Sequence, residues 1–164
     1  MSSQVLSNQQ TAEPRLDAWV GFLRAHAALT RQLSAQLESA HGMTLNDFDC
    51  LVQLAYAPDR RLRRVDLARS VLLSASGITR LLDGLERAGW VEKGTCESDA
   101  RVTYAVLTEA GLQKYREARK SHIADIETVF GSRFTDEERD TLASLFGRLL
   151  DPEDEGLECT KEPE

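Results

Sequence analysis

The stretch from Leu73 to Ala88 combines an apolar stripe with a polar face that can form hydrogen bonds. At three- and four-residue spacing, the stripe consists of Ile78, Leu81, Leu82 and Leu85. The opposite face of this predicted helix presents Ser76, Gly77, Thr79 and Arg80 near its N-terminal end. An arginine fork can grip a guanine edge, and a serine or threonine hydroxyl can bond a base or a phosphate. Alternatively, Arg80 is a solvated charge on the helix surface.

A second polar group lies between two β-rich runs, at residues 90–93 and 102–107. The intervening residues 94–101 predict a β-hairpin whose loop carries Asp99 and Arg101. A hairpin with an arginine in its loop, directly after such a helix, suits a reader of duplex DNA. The alternative is a salt bridge within the turn, worth well under ~1 kcal/mol. Lys93 either contacts a phosphate or is solvated.

The elements around these residues predict a winged helix-turn-helix. Ser74 is the expected N-cap of the recognition helix, although its neighbouring amides could also meet a phosphate, and Gly89 is the expected C-cap. A short helix over residues 65–71 precedes it after a tight turn, and the hairpin follows it. Four arginines before the short helix are predicted to form a basic loop that either touches flanking phosphates or is solvated: Arg60, Arg61, Arg63 and Arg64.

Helices with apolar stripes flank this core on both sides, so the predicted fold is mainly α with a small β-hairpin wing. Residues 1–13 are predicted to be disordered and residues 14–150 to form one domain, with a winged-helix core at about 44–107. Dimerisation helices are expected at about 14–41 and 108–150, because their stripes exceed what one small domain buries. Residues 151–164 are expected to form a flexible acidic tail.

Charge along the chain localises the expected DNA surface. The net charge is −7, yet residues 59–104 hold nine basic and seven acidic residues and are net positive. Phosphate neutralisation depends on the contact surface, so a basic patch on an acidic protein is compatible with DNA binding. The sequence shows no signal peptide and no membrane span, so we expect a soluble cytoplasmic protein.

Cysteine and histidine usage argues against cofactor chemistry. The cysteines, Cys50, Cys96 and Cys159, are odd in number and lack CxxC pairing, and the three histidines are scattered. We therefore expect no disulfide framework, metal or cofactor. A Gly-rich phosphate loop, a GxSxG motif and a workable His/carboxylate cluster are all absent, so no enzymatic activity is expected.

The order of these elements resembles the MarR family of bacterial transcriptional regulators. The resemblance covers roughly residues 19–150, and its most specific parts are LSASGITRLLDGLERAGWV at 73–91, SDAR at 98–101 and AVLTEAG at 105–111. It implies a homodimer on a palindromic operator, usually a repressor and often released by a small aromatic or phenolic ligand. It also implies that Asp99 orients Arg101 toward the minor groove. Ala100 departs from the pattern, because the family often has a basic residue there.

The resemblance further implies an effector site where the terminal helices meet the DNA-binding lobe. Candidate lining residues are those with a polar handle on or beside an apolar stripe: Trp19, His26, Asp49 and Tyr115. The alternative is that the two aromatics belong to the core or dimer interface and that Asp49 is a surface acid.

Two other functions stay open at this point. A thiol-based redox sensor would need a reactive cysteine, but Cys50 is predicted to be buried and Cys96 lies beside Glu97 and Asp99, which oppose thiolate formation. A winged helix used only for protein–protein contact would lack the arginines at positions 80 and 101, and both are present.

Overall fold

A computed structural model of the chain describes residues 16–71, 73–95 and 102–150. The described part contains six α-helices and one three-stranded sheet. In chain order the elements are α1 (Asp17–His41), α2 (Leu45–Tyr56), β1 (Arg61–Arg63), α3 (Arg64–Ser70), α4 (Ala75–Arg87), β2 (Val91–Thr95), β3 (Thr103–Leu107), α5 (Glu109–Val129) and α6 (Asp136–Gly147). The predicted mainly helical winged fold is confirmed, and the predicted bounds of its single domain stay a prediction.

Side-chain caps open four of the six helices in the described residues, and the predicted cap at Ser74 is among them. The Ser74 and Thr108 hydroxyls accept hydrogen bonds from backbone amides in the first turns of α4 and α5. Thr44 and Thr135 open α2 and α6 with reciprocal capping boxes. The left-handed conformation of Gly42, with φ of 67°, ends α1.

The sheet has the order β1-β3-β2, with both pairs antiparallel. The prediction of a basic loop at residues 60–64 is therefore wrong. Residues 61–63 form an edge strand on β3, and Arg64 begins α3. Leu62 is half-buried between two exposed arginines, and this alternation is the period of a strand. The hairpin prediction missed this strand because three residues carry little periodic signal.

The core lies where α2 and α5 meet the helix-turn-helix and the sheet. Leu51, Leu54, Leu67 and Leu112 are fully buried, and Ile78, Leu82 and Leu85 bring α4 onto the same cluster. The predicted apolar stripe of the recognition helix is confirmed, with Leu81 at its half-buried margin. Burial on one side of α4 determines which of its side chains face outward.

The terminal helices leave a large apolar surface uncovered in the single chain. Leu37 is the buried residue of α1, whereas Trp19, Phe22 and Phe146 remain exposed and form a row of ring contacts. Helix α6 ends at Gly147, three residues before the predicted end, and Leu149 is 73% exposed. None of the helices in the described residues is long and apolar enough to cross a membrane.

Candidate nucleic-acid interface

Helices α3 and α4 form the predicted helix-turn-helix, and α4 displays a polar face to solvent. Ser76, Thr79 and Arg80 are exposed and lie three and four residues apart, so they form one surface near the N-terminal end of the helix. Recognition helices enter the major groove through such N-terminal residues. The structure brings these three predicted residues together.

Ser74 and Gly77 support the first turn of α4. The Ser74 hydroxyl accepts a hydrogen bond from the Gly77 amide at 3.1 Å and lies 3.2 Å from the Ser76 hydroxyl oxygen. A β-carbon at Gly77 would come within 3.2 Å of the Ser74 oxygen, so glycine lets the cap close tightly. Both residues therefore have structural roles, and direct DNA contact by either of them stays a prediction.

The Thr79 hydroxyl is already engaged within the protein. It donates to the Ala75 carbonyl at 2.8 Å and accepts from Nη2 of Arg64 at 2.9 Å. A hydroxyl has one proton to donate, so Thr79 cannot donate to a base without releasing the helix carbonyl. Its methyl group remains able to contact a thymine methyl.

Arg80 has no ion pair with any residue in the described ranges and is exposed. Its guanidinium is thus available to an external acceptor. Asp99, Ala100 and Arg101, which carry the predicted wing contact, lie outside the described residues, and so does Cys96. The roles of these residues stay predictions.

Lys93 lies on β2 beside two acids of the recognition helix. Its ammonium is 2.9 Å from Glu86 and 3.9 Å from Asp83. These ion pairs tie the wing strand to α4 and compete with a phosphate contact. DNA contact by Lys93 stays a prediction, and the structure supplies a local alternative.

The arginines at the start of the lobe differ in their partners. Arg60 donates to Glu109 at 3.0 Å and Arg63 to Asp66 at 2.6 Å, which also raises the pKa of Arg63. The Arg61 guanidinium stacks on the Tyr104 ring, 4.4 Å from its centroid. Arg64 has the uncharged Thr79 as its partner.

A cavity of about 360 Å³ lies between α2, the end of α3 and α5. Asp49 and Tyr115 line it, as predicted for an effector site, whereas Trp19 and His26 do not. Trp19 and His26 instead contact Phe22 on the exposed face of α1. Among the described residues, none from α1 lines the cavity. Within this chain, the structure brings two of the four predicted residues together at the cavity, and effector binding by any of the four stays a prediction.

His122 and Asp49 line this cavity, and the pKa of each is shifted from its ordinary value. His122 is buried with its ring centroid 4.8 Å from that of Phe48, and its Nδ1 has no hydrogen-bond partner among the described residues. Burial lowers the pKa of His122, against a weaker opposing effect of Asp125. Partial burial raises the pKa of Asp49 to about 6, although the residue keeps an exposed edge.

Comparison with known proteins identifies the relatives of this chain. The model of the MarR family matches residues 41–102. The HTH-type transcriptional repressor YetL of Bacillus subtilis (strain 168) is 30% identical over 113 residues, which cover 69% of this chain and 67% of the repressor. The chain belongs to the MarR family.

Solved structures of MarR family regulators from Streptomyces coelicolor share the fold. AbsC is 30% identical with a TM-score of 0.74, and the match covers 90% of this chain and 95% of AbsC. Sco3205, whose structure was solved in complex with DNA, is 29% identical with a TM-score of 0.77. That match covers 84% of this chain and 90% of Sco3205. The resemblance inferred from the sequence is confirmed.

Some site residues of this MarR family member were not among those predicted from sequence. His122 lines the cavity together with Tyr115, seven residues earlier on α5, and this spacing places both on one helix face. The same spacing, applied from Tyr115, could have found it. The contact between Arg64 and Thr79 had no comparable signal, because it joins two helices across the turn.

Cys50, the described cysteine, lies in the core among charged neighbours that disfavour its thiolate. Cys50 is fully buried, and burial together with the charges of Asp47 and Asp49 raises its pKa to about 12. Such a thiol is inert toward oxidants, since the thiolate is the reactive form. No group of three or more metal-ligating side chains occurs in the described parts of the chain.

Proposed function

We propose that this MarR family protein is a transcriptional regulator that binds duplex DNA sequence-specifically through α4 and the wing, acting as a ligand-responsive repressor. The observation that carries the proposal is the exposed face of α4, where Arg80 stands without a described acidic partner beside Ser76 and Thr79. A guanidinium in this position can donate two hydrogen bonds to a guanine edge. The net-positive segment 59–104 supplies the surrounding field.

The proposed active form is a homodimer. The ring contacts of Phe22 with Trp19 and Phe146 lie on a terminal face that the single chain leaves uncovered, and Leu149 and Leu150 extend it. Contiguous exposed apolar surface of this kind marks an interaction site. Two-fold pairing of identical chains presents two recognition helices, so the proposed operator is palindromic.

Selection from a pool of random duplexes tests the DNA-binding part of the proposal. We expect the wild-type protein to recover a two-fold-symmetric sequence. Arg80→Ala should weaken binding to that duplex by about 5- to 150-fold, since loss of a bidentate base contact costs about 1–3 kcal/mol. Arg87→Ala is the matched control, because Arg87 is an exposed arginine in the last turn of the same helix. Recovery of no sequence, or equal binding by both variants, would refute the proposal.

The proposed effector site is the cavity between α2 and α5. It is lined by aromatic and aliphatic side chains with a few polar groups, which is the usual character of a small-molecule site. The proposed effector class is a small aromatic or phenolic compound. A panel of aromatic acids should release the selected duplex from the wild-type protein, and Tyr115→Phe should change the concentration required. Trp19→Phe is the control, because Trp19 lies outside this cavity.

The alternatives receive less support. Redox sensing through Cys50 conflicts with its burial and raised pKa, and Cys96 and Cys159 lie outside the described residues. Mass spectrometry after mild peroxide treatment, with DNA binding followed in parallel, separates thiol sensing from ligand sensing. A purely protein-binding winged helix would leave the free Arg80 face unexplained. The proposed role places the protein in the cytoplasm with the DNA and includes no catalytic step.

A further inference from the structure

Among the described residues, Arg64 has neither an acidic partner like those of Arg60 and Arg63 nor an aromatic partner like that of Arg61. Arg60 and Arg63 each form an ion pair with an acid, so their charge is locally compensated. The half-buried Arg64 instead donates one hydrogen bond to the neutral Thr79 hydroxyl. A guanidinium has five N–H donors, so the described residues leave most of its donor capacity and all of its charge without a partner.

The position of Arg64 is as distinctive as its charge. It lines a shallow depression between α3 and α4 together with Ala75, Ile78 and Thr79. Together with Arg63, it also lines a second depression with Val102 and Thr103, where β3 begins at the base of the wing. Arg64 therefore lies between the recognition helix and the wing.

The geometry of a DNA duplex indicates what a side chain between the recognition helix and the wing would contact. A winged helix-turn-helix that inserts its recognition helix into a major groove and its wing into the adjacent minor groove straddles the sugar-phosphate strand that separates the two grooves. A cationic side chain that lies between the recognition helix and the wing is therefore expected to face that sugar-phosphate strand. Arginine is well suited to the task, since its planar fork matches phosphate oxygens.

We propose that Arg64 binds a backbone phosphate of the strand between the recognition helix and the wing, and that Thr79 is the positioning residue that holds its guanidinium there. The proposal rests on the proposed DNA-binding function and deepens it. It assigns the Thr79 hydroxyl to the protein and leaves the threonine methyl for the DNA. Through Arg64, the Thr79 hydroxyl therefore contributes to DNA affinity without reading the base sequence.

The test measures binding to the highest-affinity duplex recovered by selection, at several salt concentrations. Arg64→Ala should weaken binding about tenfold, as expected for loss of a charge-assisted hydrogen bond, and should lower the slope of log affinity against log salt by about one per bound protomer. Arg63→Ala is the matched control, because the adjacent arginine loses the same charge but is paired with Asp66. It should leave the slope unchanged.

Variants of Thr79 separate positioning from base contact. Thr79→Val keeps the methyl and branching but removes the hydroxyl, so it should weaken binding in the wild-type background and have no further effect in Arg64→Ala. Thr79→Ser keeps the hydroxyl and should keep the salt slope. Thermal unfolding and solution mass verify that each variant is folded and assembled.

The outcomes distinguish the two levels of the proposal. If the wild-type protein binds duplex DNA and Arg64→Ala retains the wild-type salt slope, the assignment of Arg64 is overturned while the DNA-binding function stands. Additive effects of Thr79→Val and Arg64→Ala would overturn the positioning role of Thr79. If the wild-type protein selects no duplex, both the proposed function and this assignment fail.

Discussion

Gly111, in the first turn of α5, packs directly against the backbone carbonyl of Trp90, which lies between the recognition helix α4 and strand β2. A β-carbon at position 111 would lie 2.0 Å from the Trp90 oxygen. The same carbonyl accepts a hydrogen bond from the Thr108 amide at 3.1 Å. The Thr108 hydroxyl donates to the neighbouring Gly89 carbonyl at 2.7 Å and lies 3.1 Å from the Trp90 oxygen. This contact joins the long α5 helix to the DNA-binding lobe through backbone atoms that cannot move aside cheaply.

Gly111→Ala is therefore expected to destabilise the fold by about 3 kcal/mol, in the upper range for overpacking a well-packed site. Gly84→Ala is the matched control, since Gly84 lies inside α4 with nothing within 4 Å of its β-position. It should raise the free energy of unfolding by about 0.5–1 kcal/mol through helix propensity. Urea unfolding measures both changes, and equal stability of the two variants would contradict the steric argument.

The raised pKa of Asp49 predicts a pH dependence of stability. The pKa rises from its ordinary value of 3.8 to about 6, so between these values the folded chain binds more protons than the unfolded chain. The free energy of unfolding contributed by this group accordingly falls as the pH rises through that window. Asp49→Asn lacks this contribution.

Urea unfolding at pH 4 and pH 7 measures the effect as a difference between wild type and Asp49→Asn. The wild type should lose stability relative to the variant on going from pH 4 to pH 7. The size is modest, because Asp49 keeps an exposed edge and solvent screens it. A difference that is constant with pH, or of opposite sign, would refute the assigned shift.

Cys50 should resist thiol reagents as long as the chain is folded. Its side chain is fully buried and its pKa is raised to about 12, so the thiolate fraction at neutral pH is very small. A double variant with Cys96→Ser and Cys159→Ser isolates Cys50 for titration with a chromogenic disulfide. We expect negligible reaction in native buffer and one equivalent in denaturant. Prompt reaction of the folded protein would revive the redox alternative.

The apolar terminal face is expected to hold two chains together. Phe22→Glu places a charge in the middle of the contacts with Trp19 and Phe146, and burying an unpaired charge in an interface is strongly unfavourable. Light scattering should show a shift from dimer to monomer. Val65→Glu, at a residue 62% exposed on the DNA-binding lobe, is the control and should remain dimeric. A dimeric Phe22→Glu protein would place the interface elsewhere.

The helices were predictable because local chemistry determines their ends. The Ser74 cap and the stripe of Ile78, Leu82 and Leu85 depend on near neighbours in the chain, and the structure agrees with these predictions. Strand β1 was not predictable in the same way, because Arg61 and Arg63 become a strand only through pairing with β3. Propensity is weak for such a short edge, and tertiary pairing overrides it.

The two candidate sites differ in the same way, because one depends on local periodicity and the other on tertiary packing. The exposed face of α4 follows from helical periodicity alone, so Ser76, Thr79 and Arg80 were identified together. The cavity depends on how α2 packs on α5, which a sequence pattern does not specify. The sequence therefore predicts Asp49 and Tyr115, which line the cavity, together with Trp19 and His26, which lie outside it.

Strand β3 lies at the centre of the sheet and is the last strand of the DNA-binding lobe to be synthesised. The sheet therefore cannot form before β3 is present. Both outer strands pair with β3, and neither pairs with the other. A nascent chain that has emerged only as far as β2 therefore has two strands without a partner, and the helix-turn-helix between them lies in an unclosed loop. Closing that loop requires the ends to meet across the whole motif, which is slow relative to helix formation. Competence to bind DNA thus arrives late in synthesis, after the recognition helix itself has left the ribosome.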